Sequence, residues 1–278
     1  MCRLYGFRAN EPTKVECSLA HAQNALLLQS RSDMLGRAHA DGWGLAFYRN
    51  GGTSLSVERR ERAAYEDLHF SATAERVYAT TVVAHVRRAT VGGPAAANTH
   101  PFRHGSWIFA HNGTVTDFAQ IEGRLAAETD PDLNAVRRGT TDSERAFLWI
   151  LSRMRREGID VDADDGQDLD VGSIGELVTA SVLHLSSMAR SAKLNFLLTN
   201  GRVMVASRFG NSLYLLERDG VRDCEICGIP HVHHDTKRRY RAVIVASEPI
   251  TYERWVEVPD AHLVSIERDL SLSVEPMS

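Results

Sequence analysis

The chain has 278 residues, a length typical of one large domain, and 43 % of them are hydrophobic, which is enough for a sizeable core. The formal charge is −4, and basic and acidic residues are interleaved, so we expect no nucleic-acid partner. No apolar run approaches the roughly 18–20 residues that a bilayer requires, and the first residues lack the apolar segment of a signal peptide. We therefore expect a cytoplasmic protein with no membrane partner. In that reducing compartment its four cysteines are interpreted as free thiols or metal ligands in preference to disulfides.

The first elements are predicted from short apolar runs. Residues 2–7 are typical of a strand, and the leucine spacing over 18–29 predicts a helix. Residues 42–48 and 54–58 are predicted strands. Asn50-Gly51-Gly52 between them tolerates positive φ and favours a hairpin.

Two helices in the middle of the chain are predicted from capping pairs. Asp117 with Gln120 indicates a helix that runs to about residue 127. Thr141 with Glu144 indicates a second one, to about residue 156.

Further strands are predicted at 78–86, 107–111, 195–199, 203–207, 212–216, 241–247 and 262–267. Asn200-Gly201 is a strong hairpin signal between two of them. Ser247-Glu248-Pro249 is most simply interpreted as a turn that ends a strand, and the alternative is that these residues face a functional pocket. Strands near both ends with helices between them favour two sheets and a helical layer.

A cysteine directly after the initiator can carry chemistry. Methionine aminopeptidase removes Met1 when the next side chain is small, so a thiol and a free α-amine would share Cys2. An α-amine has a pKa of about 7.7–8.0 and can act as a base near neutrality, while a thiol near about 8.5 is already partly ionised. Cys2 could therefore be both nucleophile and base, although a cysteine here says little alone.

Four motifs follow Cys2 in order: His85-Val86-Arg87-Arg88-Ala89-Thr90, Asn98-Thr99-His100-Pro101, His111-Asn112-Gly113 and Thr141-Asp142-Ser143-Glu144. With Cys2, this set resembles the class II glutamine amidotransferases, an N-terminal-nucleophile (Ntn) family. The family includes the glutaminase domains of glucosamine-6-phosphate synthase and of glutamine phosphoribosylpyrophosphate amidotransferase. Residues 2–7 and 41–44 are most similar to small stand-alone members, such as the amidohydrolase of ergothioneine biosynthesis.

The resemblance implies one α+β domain over residues 2–278, after removal of Met1, with the four-layer αββα sandwich of the Ntn hydrolases. It also implies the catalytic residues. Cys2 attacks the γ-amide carbonyl, and the side-chain amide of Asn112 and the backbone N–H of Gly113 stabilise the oxyanion.

The same resemblance implies four substrate-binding residues. The planar fork of Arg87 suits the α-carboxylate of the substrate, and Asp142, near a helix start, is placed to take the α-ammonium. Thr90 and His100 match positions that line the pocket and hold its loop. Loop-stabilising hydrogen bonds would explain these last two residues equally well.

A Cys-x-x-Cys pair followed by histidines has the ligand types and spacing of a structural zinc site. The candidate ligands are Cys224, Cys227, His231 and His233, and a metal-free loop is the alternative. The implied catalysis requires no cofactor. Cys17, on the predicted helix, is interpreted as a buried thiol.

Two enzymatic functions and one binding function are open at this point. The implied domain spans the chain, so we expect no synthase domain, and ammonia would pass to a separate synthetase. Alternatively, the protein hydrolyses a γ-glutamyl small molecule other than glutamine. The third hypothesis is a catalytically inactive relative with the same fold that binds a ligand or zinc.

Overall fold

A computed structural model describes residues 2–49, 54–233 and 238–278. The described strands are β1 (Arg3–Lys14), β2 (Trp43–Arg49), β3 (Ser54–Arg60), β4 (Tyr78–Val86), β5 (Phe102–His104), β6 (Trp107–Thr114), β7 (Lys193–Thr199), β8 (Met204–Arg208), β9 (Tyr214–Asp219), β10 (Arg241–Ala246), β11 (Val256–Glu257), β12 (His262–Ile266) and β13 (Leu272–Pro276). The described α-helices are α1 (Leu26–Arg31), α2 (Leu68–Arg76), α3 (Phe118–Glu128), α4 (Pro131–Ala135), α5 (Asp142–Arg156) and α6 (Val171–Met188).

The strands form two sheets. The first has the order β11-β9-β10-β1-β4-β2-β3, and the second has the order β13-β12-β8-β7-β6-β5. Pairing between the described strands is antiparallel throughout. β1 lies near the middle of the first sheet, between β10 and β4, so the first residues of the chain are held on both sides.

Alternating side chains divide the core into layers. On β6, Ile108 and Ala110 pack between the two sheets, whereas Phe109 faces the helices α3, α5 and α6. On the outer face of the first sheet, Trp43 of β2 packs with Phe70 of α2. The order helices, sheet, sheet, helices is the four-layer αββα sandwich of the Ntn hydrolases, and that prediction is confirmed.

Most predicted strands are confirmed, but the predicted helix over 18–29 is wrong. The chain instead forms a π-helical turn, Cys17–His21, and then the short helix α1. Between them Asn24 donates its backbone N–H to the carbonyl of Ile250, a tertiary contact that overrides the leucine spacing. Among the described helices, none is both long and apolar enough to cross a membrane.

The two capping predictions differ in outcome. Thr141 caps α5, accepting the N–H of Glu144 at 3.1 Å, as predicted. Asp117 does precede α3, but its side chain makes no capping bond because the residue adopts a left-handed conformation, with φ 55°. The hairpin predicted at Asn50-Gly51-Gly52 lies outside the described residues, although the flanking strands β2 and β3 do pair antiparallel.

Candidate active site

Cys2 lies at one end of the first sheet, directly before β1. Because Arg3 pairs with Val86 of β4, the Cys2 side chain lies beside the residues that follow this strand. Its Sγ is 3.4 Å from the backbone nitrogen of Arg88 and 3.5 Å from the Arg88 carbonyl oxygen. Only 6 % of Cys2 is exposed, and this burial raises the pKa of its thiol, while the Arg88 N–H and the Arg87 charge act in the opposite direction.

A buried ion-pair network holds the residue next to Cys2. The Arg3 guanidinium donates to the Cys2 carbonyl at 2.9 Å, to Asp33 at 2.5 Å and to Glu248 at 2.8 Å. Burial alone would raise the pKa of Asp33, but backbone hydrogen bonds from Arg37 and the Arg3 charge outweigh it and lower the pKa. The network fixes the start of β1, and sequence reasoning missed it because its three members are far apart along the chain.

Arg87 is buried, and its guanidinium group already donates hydrogen bonds to backbone carbonyls. Its two terminal nitrogens donate to the carbonyl oxygens of Val91, Gly92 and Gly93 at 2.9–3.1 Å. Arg87 therefore holds residues 91–93 in the described conformation. Burial lowers the pKa of Arg87, whereas the charges of Cys2, Asp41 and Asp142 raise it.

Asp142 is the first residue of α5 and is 4 % exposed. One carboxylate oxygen accepts the N–H of Val115 at 2.7 Å, and the other accepts the N–H of Ser143 at 2.8 Å. The Ser143 hydroxyl also donates to this second oxygen, at 3.2 Å, so it is the oxygen bonded to Val115 that retains a lone pair for a cation.

Asn112 and Gly113 lie on β6 in the second sheet, opposite the end of β10. The Asn112 Nδ2 is 3.1 Å from the Oγ of Ser247, and Ser247 Oγ also accepts the N–H of Leu4 at 3.0 Å. The Asn112 Oδ1 is buried and has no hydrogen-bond partner in the described part of the chain. A Cβ on Gly113 would lie 1.8 Å from the carbonyl oxygen of Lys193, so only glycine fits.

Ser247 and Glu248 therefore face the site. The interpretation of Ser247-Glu248-Pro249 as a simple turn was incomplete, because these two side chains contact Asn112 and Arg3. The only sequence signal was their polarity at the end of an apolar strand. The pairing of Tyr5 with Ala246 explains the placement, since it brings the end of β10 beside the start of β1.

Thr90 and His100 have different surroundings. Thr90 is exposed and its hydroxyl lies 2.9 Å from that of Thr114. His100 is buried, with its ring 4.2 Å from the ring of His85 and 4.6 Å from that of Phe102. Neither side chain contacts Cys2 in the described structure, and the surroundings of His100 favour its loop-holding role.

The cysteine–histidine cluster needs a correction. Ligand atoms of Cys17, Cys224, Cys227 and His231 lie within 4.8 Å of one another. His233 is outside this group, and its ring packs against Tyr78 at 5.7 Å between centroids. Cys17 was interpreted only as a buried thiol, because nothing in the sequence reveals which distant thiol the fold brings to a Cys-x-x-Cys loop.

The site thus combines a buried thiol, an arginine, a carboxylate and an amide at one end of the two sheets. The model of the family Glutamine amidotransferases class-II matches residues 1–275. The chain belongs to the class II glutamine amidotransferases. Its catalytic class is therefore that of this enzyme family.

Relatives of this amidotransferase extend over nearly its whole length. It is 28 % identical to the probable glutamine amidotransferase DUG3 of Saccharomyces cerevisiae, over 98 % of this chain and 83 % of that protein. It is 29 % identical to the gamma-glutamyl-hercynylcysteine sulfoxide hydrolase of Mycolicibacterium smegmatis, over 91 % of this chain and 89 % of that protein.

Solved structures share the fold of this amidotransferase. A glutamine aminotransferase class-II domain protein from Silicibacter pomeroyi superimposes with a TM-score of 0.61, 18 % identity and full coverage of both chains. Glutamine phosphoribosylpyrophosphate amidotransferase from Bacillus subtilis superimposes with a TM-score of 0.63 and 18 % identity, over 100 % of this chain and 49 % of that one.

Proposed function

We propose that Cys2, made N-terminal by removal of Met1, cleaves the γ-amide of glutamine or of another γ-glutamyl compound through a γ-glutamyl thioester. The observation that carries this proposal is the convergence of Cys2 with Arg87, Asn112 and Asp142 at the buried end of the two sheets, in a chain of the amidotransferase family.

The proposed reaction has two steps. The Cys2 thiol gives its proton to the α-amine of the same residue, and the sulfur attacks the γ-carbonyl carbon to form a tetrahedral oxyanion. Collapse of the oxyanion breaks the C–N bond, and the α-ammonium returns the proton to the departing ammonia or amine. Water, activated by the α-amine, then attacks the thioester and releases glutamate and the thiol.

The oxyanion needs a hydrogen-bond donor that has no other acceptor. Whether the Asn112 side-chain amide offers one depends on which way the amide is turned. With Nδ2 toward Ser247, the buried Oδ1 has no partner among the described residues. Turned by 180°, the Ser247 hydroxyl donates to Oδ1, and the Leu4 N–H still donates to Ser247. This reverse orientation satisfies both groups and leaves an Nδ2 hydrogen for the oxyanion.

The α-carboxylate and α-ammonium of a γ-glutamyl substrate would bind Arg87 and Asp142. We infer that the carboxylate displaces some of the 91–93 carbonyls from the Arg87 fork, because a charged acceptor forms a stronger hydrogen bond than a carbonyl. The exchange would release the 91–93 loop as the substrate enters. A reactive thiol fits a reducing compartment, so we propose a cytoplasmic location.

We further propose that the preferred substrate carries an amine larger than ammonia. Support comes from the gamma-glutamyl-hercynylcysteine sulfoxide hydrolase of Mycolicibacterium smegmatis, which this chain matches over 91 % of its length. The alternative is that the protein hydrolyses glutamine and passes the ammonia to a separate synthetase.

Intact-mass spectrometry tests the nucleophile. The purified protein should lack Met1 and should gain one adduct when treated with diazo-oxo-norleucine, a glutamine-like electrophile. The Cys2→Ser variant should gain none, and the remaining thiols, Cys17, Cys224 and Cys227, should stay unmodified. Retained Met1 in an active protein, or an adduct on Cys2→Ser, would contradict the mechanism.

Glutamate release tests the substrate. With the purified protein alone, kcat/KM for γ-glutamyl-p-nitroanilide should exceed that for glutamine by at least tenfold. Equal values for the two, or a glutamine rate that rises steeply with a cellular partner, would favour the ammonia-transferring function. No turnover of either compound, with diazo-oxo-norleucine labelling absent, would favour the inactive binding protein.

A further inference from the structure

A second cluster of nucleophilic side chains lies away from Cys2. Cys17 follows the far end of β1, a strand of 12 residues that spans about 40 Å when extended. The other three members, Cys224, Cys227 and His231, belong to the loop between β9 and β10. The amidotransferase chemistry proposed above uses none of them.

The cluster has the dimensions of a small metal cage. Its four ligand atoms all lie within 4.8 Å of one another, and the Sγ of Cys227 is 3.1 Å from Nε2 of His231. In a tetrahedral zinc site with Zn–S near 2.3 Å, neighbouring sulfur atoms lie about 3.8 Å apart. A contraction of about 1 Å or less along the longest edge would close the cage around an ion.

The loop has the local geometry that a pair of thiolate ligands requires. The N–H of Ile226 points at the Sγ of Cys224, 3.4 Å away, and the N–H of Gly228 donates to the Cys224 carbonyl at 2.8 Å. Gly228 has φ 73°, so the chain can turn directly after Cys227. A backbone N–H directed at sulfur stabilises a thiolate and orients it toward a metal.

Backbone contacts fix the loop against β1 beside Cys17. Lys14 donates its N–H to the carbonyl of His231 at 2.9 Å, and Thr13 pairs with Val232 across an isolated bridge. A cavity of about 100 Å³ borders Cys17, Cys224 and His231. Backbone contacts thus bring the segment that carries His231 beside the end of β1.

We propose that Cys17, Cys224, Cys227 and His231 bind one zinc ion in a closed, structural site. Three thiolates and one imidazole form a donor set that zinc prefers, and with four protein ligands no position is left for water or substrate. The ion joins the end of β1 to the β9–β10 loop. Its removal should destabilise the fold and leave the reacting groups around Cys2 in place.

Metal content and the cobalt spectrum test the site. Protein purified under reducing conditions with added zinc chloride should hold one zinc per chain by mass spectrometry of the metal. Exchange with Co²⁺ should give the visible bands of a tetrahedral ion and strong thiolate-to-metal absorption in the near ultraviolet. This second measurement needs no variant, so it remains informative if a substitution prevents folding.

Four variants separate this ligand set from its alternatives. Cys17→Ser and Cys227→Ser should retain at least tenfold less zinc against a competing chelator, and thermal stability should fall with metal loss. His233→Ala and Cys2→Ser should retain one zinc per chain.

Three results would overturn the proposal. The first is a reduced protein that retains no zinc. The second is a His233→Ala variant as defective as Cys17→Ser. The third is an intact mass two units lower, which would indicate a disulfide among the cluster cysteines. Because Cys2→Ser should abolish diazo-oxo-norleucine labelling and keep the zinc, the amidotransferase proposal and the zinc proposal can fail separately.

Discussion

The orientation of the Asn112 amide depends on a single hydroxyl group. Ser247 lies 3.1 Å from this amide and itself accepts the N–H of Leu4, so in the proposed mechanism we expect it to position the Asn112 side chain. An alanine in place of Ser247 would offer the Asn112 amide neither a hydrogen-bond donor nor an acceptor.

We expect Ser247→Ala to lower kcat by about tenfold to a hundredfold and to change KM little. Asn112→Ala, which removes the donor itself, should cost about 10²- to 10³-fold. If Ser247 acts only through Asn112, adding Ser247→Ala to Asn112→Ala should cost nothing further in kcat. Additive losses in this double-mutant cycle would show that Ser247 acts elsewhere, for example through the backbone of Leu4.

The motifs indicated candidate residues for the site but not their contacts. The catalytic and substrate-binding roles of Cys2, Asn112, Arg87 and Asp142 stay predictions. Nothing in the sequence revealed that the Arg87 guanidinium binds the 91–93 carbonyls. Contacts between distant segments, such as those of Ser247, depend on strand register, which a single sequence does not specify.

At the scale of elements, β1 is anchored at its start by buried charge. Arg3 makes ion pairs with Asp33 and Glu248, and each of the three side chains is at most 4 % exposed. These contacts tie β1 to the segment after α1 and to the end of β10. Removing the Arg3 cation would leave Glu248 buried without an ion-pair partner among the described residues and Asp33 with only the half-buried Arg37, 3.0 Å away.

We expect Arg3→Met to lower the free energy of unfolding by about 3–5 kcal/mol, measured by urea denaturation at pH 7. Arg124→Met is the matched control, because Arg124 pairs with Glu128 on the exposed face of α3, where such a pair contributes at most about 0.5 kcal/mol. Equal losses in the two variants would show that the Arg3 network does not hold the strand.

Strands were easier to predict than helices in this chain. Runs such as the one that became β4 are apolar on both faces because the first sheet lies between two layers, and such runs stand out in a sequence. The helix predicted over 18–29 failed because the Asn24 side chain donates to Pro249 and Glu248, a contact that ends the helical path. Local spacing carries no information about such a partner.

At the scale of the molecule, three buried histidines lie where the sheets meet. His85 of β4 directs Nε2 at the carbonyl oxygen of His111 on β6, 3.2 Å away, and the His100 ring packs against the His85 ring at an angle of 34°. Burial lowers the pKa of His85 to about 3 and also lowers the pKa of His100 and His111. The charge of Arg87 also lowers the pKa of His85 and His100. At His111 the charge of Asp142 acts against the effect of burial and raises the pKa.

These histidines should make the fold sensitive to mild acid. Between pH 6.5 and the lowered pKa of the folded state, the unfolded chain binds protons that the native protein does not, so stability falls as the pH falls. A histidine that stays neutral in the folded protein contributes about 1.4 kcal/mol per pH unit, or about 2 kcal/mol from pH 6.5 to 5. Above pH 7.5 the histidine is neutral in both the folded and the unfolded chain, so its contribution to the pH dependence of stability disappears.

His100→Phe isolates one of these contributions. Neither ring nitrogen of His100 has a partner among the described residues, and the ring packs edge-on against Phe102 at 4.6 Å, so a phenyl ring keeps the contact and cannot bind a proton. We expect the free energy of unfolding, measured by urea denaturation from pH 5 to 8, to fall less steeply in the variant, by about 1.4 kcal/mol per pH unit below 6.5. Above pH 7.5 the two curves should run parallel, and parallel curves down to pH 5 would mean that His100 binds a proton within the folded protein.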